Sequence, residues 1–95
     1  MIASRRHRYF VTLAEELHFA RAAQRLHLSQ PSLTQQMQKL ESEVGVLLRA
    51  RNRRTVAMTD AGRAFLDRAR VVLEEMERAV SSAKASAAGK VGELF

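Results

Sequence analysis

The apolar residues of the first 44 positions recur at steps of three and four, the spacing of one face of an α-helix. Three such stretches follow one another: Phe10, Leu13, Ala14 and Leu17; Phe19, Ala22, Ala23 and Leu26; Leu33, Met37, Leu40 and Val44. Ser29 precedes Pro31 as an N-cap residue precedes a first helical turn, and Gly45 suits a helix end. The pattern predicts three helices, with a tight turn between the second and the third.

Helical spacing fails between residues 46 and 58. Two short apolar or β-branched runs there flank Arg51-Asn52-Arg53-Arg54, and asparagine tolerates the backbone geometry of turns. The segment predicts a small β-hairpin.

A long final helix is predicted from Thr59, which can cap it, and Asp60 suits the positive end of the helix dipole. Neither proline nor glycine interrupts residues 63–88, which would form a rod of about 40 Å. Its apolar positions keep a heptad register: Leu66, Ala69, Leu73, Met76, Val80, Ala83 and Ala87. Because residues 1–58 cannot cover such a rod, the helix is predicted to pair with a second copy in a homodimer. The tail 85–95 turns to small residues and glycines, which is typical of a linker, and residues 89–95 are predicted as the start of a hinge in a longer chain.

The length and the charge of the chain limit the functions that it can have. Ninety-five residues make one small domain, and sixteen Lys plus Arg against ten Asp plus Glu give a formal charge of +6, which favours an anionic partner. The chain carries neither a signal-peptide pattern nor the about 20 apolar residues that span a bilayer, so we expect a cytoplasmic protein without a membrane partner. The lack of cysteine excludes disulfides and thiolate metal sites.

The third predicted helix presents an uncharged polar face opposite its apolar stripe. This face carries Pro31, Gln35, Gln38 and Ser42, flanked by Ser32, Thr34 and Lys39. Side-chain amides and hydroxyls without acid are what base edges require, and glutamine can bond adenine N6 and N7 together. The alternative is that glutamine is only a good helix former on a wet surface. The tight turn before this helix favours base reading, since it matches a helix-turn-helix.

The predicted hairpin is strongly basic. Arg49, Arg51, Arg53 and Arg54 place four guanidinium groups within six residues without an acid among them. Such a cluster suits phosphates or a narrow minor groove, although charge runs are often only solvated surface.

With these residues in view, the sequence resembles the N-terminal DNA-binding domain of the LysR-type transcriptional regulators over essentially its whole length. The resemblance rests on Tyr9-Phe10, on 19–26 (FARAAQRL), on 28–34 (LSQPSLT), on Gly45 with the Leu47-Leu48 to Arg51 segment, and on 59–62 (TDAG). It implies a mostly α fold: a winged helix-turn-helix of three helices and a short β-hairpin wing in residues 1–58, then a long linker and dimerisation helix in residues 59–88. It also implies a homodimer on double-stranded DNA, with a tetramer left open for the longer protein. A small-molecule effector would act only through a C-terminal domain absent from this chain.

The resemblance also assigns roles to single residues. Base contacts would fall to Gln30, Pro31, Ser32, Thr34 and Gln35 in the recognition helix. Arg54, with Arg53 beside it, would enter the minor groove from the wing. Arg21, Ser29 and Arg51 would position the phosphates, which guanidinium and hydroxyl donors do without reading sequence. The dimer interface would comprise Leu66, Ala69, Leu73, Met76, Val80 and Ala83.

Three positions depart from the family pattern. Gln35 stands where arginine is common, so adenine is favoured over guanine. Ala20 stands where Ser or Thr often caps the second helix, a loss of about 1 kcal/mol if nothing replaces the cap. Arg49 replaces an apolar residue under the wing, and we expect it to turn outward or to find an acidic partner, because burying it alone would cost several kcal/mol.

Other functions fit the residues less well. His7, His18 and His27 lie on separate segments without an acid, base and nucleophile constellation, so no enzyme activity, metal or cofactor is expected and each is read as a surface or cap residue. A membrane-binding helix is disfavoured because the polar face of the last helix mixes both charges. RNA binding is disfavoured because the sequence shows no aromatic stacking platform for bases. A coiled-coil interaction module with a non-specific basic surface explains residues 60–88 and ranks second.

Overall fold

The computed structural model describes residues 2–50 and 55–94, with side chains described over residues 5–50 and 55–89. Four helices follow one another: α1 (Ile2–Glu16), α2 (Phe19–Arg25), α3 (Gln30–Val44) and α4 (Asp60–Leu94). This order confirms the three helices and the long final helix that apolar spacing predicts.

The core lies where α1, α2 and α3 meet beside the segment that follows α3. Its buried side chains are Phe10, Leu13, Ala22, Ala23, Leu33, Met37, Leu40 and Leu48. Two members of the predicted stripes are exposed: Leu17, which follows the end of α1, and Val44, which is 40% exposed. Glu41 is buried instead of Val44, because its carboxylate lies against the segment that follows α3, at Leu48 and Arg49.

Local hydrogen bonds explain where the helices begin and end. The Ser29 hydroxyl accepts the Ser32 N–H at 3.1 Å, and Gly45 ends α3 in the left-handed conformation at φ 87°. The prediction that the N-cap position of α2 falls at Ala20 is wrong. His18 is the N-cap, and its Nδ1 accepts the Arg21 N–H at 3.3 Å, so Ala20 already lies inside the helix.

Only the base of the predicted hairpin, the bridge between Arg49 and Met58, lies within the described residues. Arg49 and Met58 form an antiparallel bridge, and the Ala50 N–H donates to the Ala57 carbonyl at 2.7 Å. No strand longer than this bridge occurs in the described residues, so the predicted wing is not shown as strands. The predicted turn at residues 51–54 lies outside the described residues.

The last helix is longer than predicted, since α4 continues through residues 89–94 and ends at Leu94. The prediction that the helix stops at residue 88 is therefore wrong. A glycine weakens a helix by about 1 kcal/mol relative to alanine but keeps its backbone N–H, so Gly89 does not end it. Each residue of α4 adds about 1.5 Å, so this helix accounts for most of the length of the molecule along its 61 Å long axis.

Only the first half of α4 packs against α1. Phe65 packs edge-on against Phe10, with ring centroids 5.4 Å apart, and Ala69 is 2% exposed. From Met76 to Gly89 every residue of α4 is exposed. The apolar face that lies on α1 therefore continues uncovered beyond it.

Candidate nucleic-acid interface

The turn between α2 and α3 fixes how α3 leaves the core. The Leu28 N–H donates to the Ala23 carbonyl at 2.9 Å, and His27 adopts a left-handed φ of 57°. The chain therefore reverses within four residues, 26–29, before the Ser29 cap. This geometry presents the first turns of α3 at the surface while Leu33 stays in the core.

The predicted base-reading residues lie together on this exposed end of α3. Gln30, Pro31 and Gln35 are exposed, and Ser32 and Thr34 are half-buried. The Ser29 hydroxyl donates to Ser32 Oγ at 2.8 Å, and the Thr34 hydroxyl donates to the Gln30 carbonyl at 3.1 Å. These bonds fix the orientations of the two hydroxyls. Within the described part of the chain, no hydrogen bond engages the amide groups of Gln35 and Gln38.

Acidic side chains near this face are neutralised or turned inward. Arg6 of α1 forms an ion pair with Glu43, and its Nε donates to Gln36 Oε1 at 3.0 Å. Glu41 lies on the core side of α3. Lys39 is exposed beside Gln38 and Ser42 along a shallow cleft. The outer face of α3 is therefore neutral to positive, which suits the edge of a polyanion. Sequence reasoning missed Arg6, because its partners on α3 are distant along the chain.

Arg21 and Arg25 join α2 to the end of α1. Arg21 Nε lies 3.5 Å from Glu16 Oε1, and its guanidinium also donates to the Glu16 carbonyl at 3.3 Å. Arg25 donates to carboxylates of both Glu15 and Glu16, and these bonds raise the pKa of Arg25. Arg21 is nevertheless largely exposed. Of the other predicted phosphate and wing residues, Ser29 caps α3, and Arg51, Arg53 and Arg54 lie outside the described residues.

Arg49 is partly buried and has the acidic partner that the sequence requires. Its side chain is 12% exposed, its Nε lies 3.5 Å from Glu41 Oε1, and its guanidinium lies 5.4 Å from the centre of the Phe19 ring. The other carboxylate oxygen, Glu41 Oε2, accepts the backbone N–H groups of Leu48 at 2.9 Å and Arg49 at 3.2 Å. Glu41 was not foreseen as the partner, although its position four residues after Met37 places it on the core side of the helix.

The predicted dimer residues divide into two groups. Leu66 and Ala69 already pack within the chain, and Leu73 is half-buried beside Leu26 and Val11. Met76, Val80 and Ala83 are exposed. Only the second group offers a surface that a partner could cover in full.

The described residues contain no group of three or more His, Cys, Asp or Glu side chains that could hold a metal ion. None of their helices is long and apolar enough to cross a membrane.

Two helices joined by a tight turn, the second exposing an acid-free polar face, define a helix-turn-helix protein. Residues 4–63 match the family model described as bacterial regulatory helix-turn-helix protein, lysR family. The chain belongs to the LysR family.

Relatives and solved structures agree with this assignment. The chain is 49% identical over 87 residues to the uncharacterized HTH-type transcriptional regulator YnfL of Escherichia coli (strain K12), covering 92% of this chain and 29% of YnfL. The CbnR DBD–DNA complex matches 88% of this chain and 97% of that chain at 45% identity and a TM-score of 0.83. The BenM DBD in complex with benA site 1 DNA matches 90% of this chain and 97% of that chain at 40% identity and a TM-score of 0.87. The chain thus spans about three tenths of the curated relative and nearly all of these two DNA-bound domains.

Proposed function

We propose that this chain binds double-stranded DNA with sequence specificity, as the DNA-binding part of a transcriptional regulator. The observation that carries the proposal is the exposed, acid-free face at the start of α3, where Gln30, Pro31, Ser32, Thr34 and Gln35 lie side by side. In this arrangement α3 enters the major groove and its side chains bond base edges. Similarity to two domains solved with DNA supports the proposal.

Two copies would bind together on an interrupted palindrome, with their recognition helices about one turn of DNA apart. The uncovered apolar residues of α4 support this arrangement, because a 35-residue helix exposed along its second half gains stability from a partner. The hairpin would place Arg53 and Arg54 in the flanking minor groove, where arginine is favoured when the groove is narrow. Arg21, Ser29 and Arg51 would contact phosphates. In a longer protein, an effector-binding domain would follow this chain. A tetramer is left open for that longer protein.

Base-reading and phosphate contacts predict different mutant behaviour. Gln35→Ala should cost about 1–3 kcal/mol on the preferred duplex, because an amide that reads one base is lost, and should leave binding to random duplex nearly unchanged. Arg51→Ala should weaken both duplexes alike and reduce the slope of log K against log salt by about one unit. Fluorescence anisotropy at several salt concentrations measures both effects. Equal losses on preferred and random DNA for Gln35→Ala would remove Gln35 from the base readers.

A further inference from the structure

The ion pair between Glu41 and Arg49 joins three parts of the molecule at one point. Glu41 belongs to α3, Arg49 to the hairpin base and Phe19 to the start of α2. Glu41 is only 5% exposed, and its two oxygens divide their contacts between the Arg49 side chain and the backbone of Leu48 and Arg49. One carboxylate therefore holds both the side chain and the main chain of the segment that leads into the hairpin.

Removing the guanidinium should release this attachment. A carboxylate that is 5% exposed is unfavourable without its cation, so it must draw in water or turn towards solvent. Either response weakens its bonds to the N–H groups of Leu48 and Arg49, which set the direction of the hairpin relative to α3. Leu33, Met37 and Leu40 belong to the apolar core cluster, and we expect that cluster to stay packed.

We propose that Arg49 is a positioning residue for the wing: through Glu41 and Phe19 it fixes the direction in which the hairpin approaches DNA relative to the recognition helix. The proposal rests on the minor-groove placement of the hairpin proposed above. Arg49 itself touches no base. Its effect would be on how well Arg53 and Arg54, proposed above to enter the minor groove, reach the groove beside the half-site.

The test compares two duplexes with the same half-sites but with A·T-rich or G·C-rich flanks under the hairpin. The wild-type protein should prefer the A·T-rich duplex by about fivefold or more, because arginine binds a narrow minor groove. Arg54→Ala should reduce the preference to near one. Arg49→Met should do the same, with less than about twofold change on the G·C-rich duplex, and should add nothing in the Arg54→Ala background.

Two further variants separate positioning from stability. Arg49→Lys keeps a cation for Glu41 but loses the planar contact with Phe19, so it should recover part of the flank preference. Arg78→Met removes an exposed i,i+3 pair with Glu75 on α4 and should leave the preference unchanged. Thermal unfolding by circular dichroism measures the folded fraction of each variant. DNA binding is then compared at a temperature at which all variants are folded.

The outcomes distinguish the two proposals. Loss of flank preference in both Arg49→Met and Arg54→Ala, without additivity, supports a positioning role. If Arg49→Met lowers the melting temperature but keeps the wild-type preference that Arg54→Ala loses, the positioning role is overturned and minor-groove placement stands. If the wild-type protein shows no flank preference, minor-groove placement fails and the positioning role fails with it.

Discussion

Gly62→Ala should destabilise the protein by about 3 kcal/mol or more, a large part of the stability of a small domain. A Cβ at this position would lie 1.9 Å from the Leu48 carbonyl oxygen, and the clash is with backbone, so no side-chain rotation relieves it. Leu48 is itself fully buried. The start of α4 and the hairpin base must therefore separate. Urea denaturation followed by circular dichroism measures the loss.

Gly89→Ala is the matched control for this substitution. Gly89 lies in the same helix, and nothing is within 4 Å of the position its Cβ would occupy. Replacing glycine inside an exposed helix favours the helix by up to about 1 kcal/mol. We therefore expect no loss of stability from Gly89→Ala. Similar unfolding free energies for the two variants would show that α4 does not approach Leu48 as closely as described.

The same junction explains why Thr59 matters. Its hydroxyl donates to the Leu47 carbonyl at 2.7 Å and accepts the Gly62 N–H at 2.9 Å. Its backbone N–H donates to the Leu48 carbonyl at 3.1 Å. The prediction that Thr59 caps α4 is confirmed, and the structure adds that the cap also ties α4 to the hairpin base.

Val80→Glu should convert the proposed dimer to monomer, raising its dissociation constant by at least ~100-fold, because two carboxylates would be buried without partners in the shared seam. Val80 is 52% exposed in the single chain, so the change should leave the fold of the monomer intact. Leu73 is a less clean choice, since it is half-buried by the chain's own α1 and α2. Sedimentation velocity over a range of concentrations measures the effect.

Val71→Glu controls for adding charge to α4. Val71 is 50% exposed, as Val80 is, but lies nine residues earlier, which is half a revolution away on the helix. The Val71→Glu substitution should leave the dimer intact. A dimer that survives Val80→Glu, or that is lost equally in both variants, would place the interface on another surface.

Sequence patterns predicted the helices well because apolar spacing depends only on the helical repeat. They failed where a helix passes beyond the core, since Val44 keeps the spacing but not the burial. The end of α4 was missed because glycine is compatible with a helix unless the chain turns there. Carrying a family capping position onto Ala20 failed because His18 makes the bond two residues earlier.

The site was predictable to a similar extent. The exposed polar face of α3 follows from its helical register, and its exposure at Gln30, Pro31 and Gln35 agrees with that prediction. The expectation that Arg49 turns outward or finds an acid follows from the cost of burying charge, and the structure shows the second outcome. Which acid it finds depends on how the chain turns after Gly45, and that turn brings together residues eight positions apart. Long-range partners such as Arg6 and Glu43 depend on helix packing in the same way.

We propose that two copies of this chain together read DNA sequence. Selection of bound duplexes from a randomised DNA pool at moderate salt, followed by sequencing, distinguishes this function from non-specific binding. We expect enrichment of an interrupted palindrome whose half-sites are about one helical turn apart. Salt-sensitive binding without any enriched sequence would contradict it, and would leave a coiled-coil module with a non-specific basic surface.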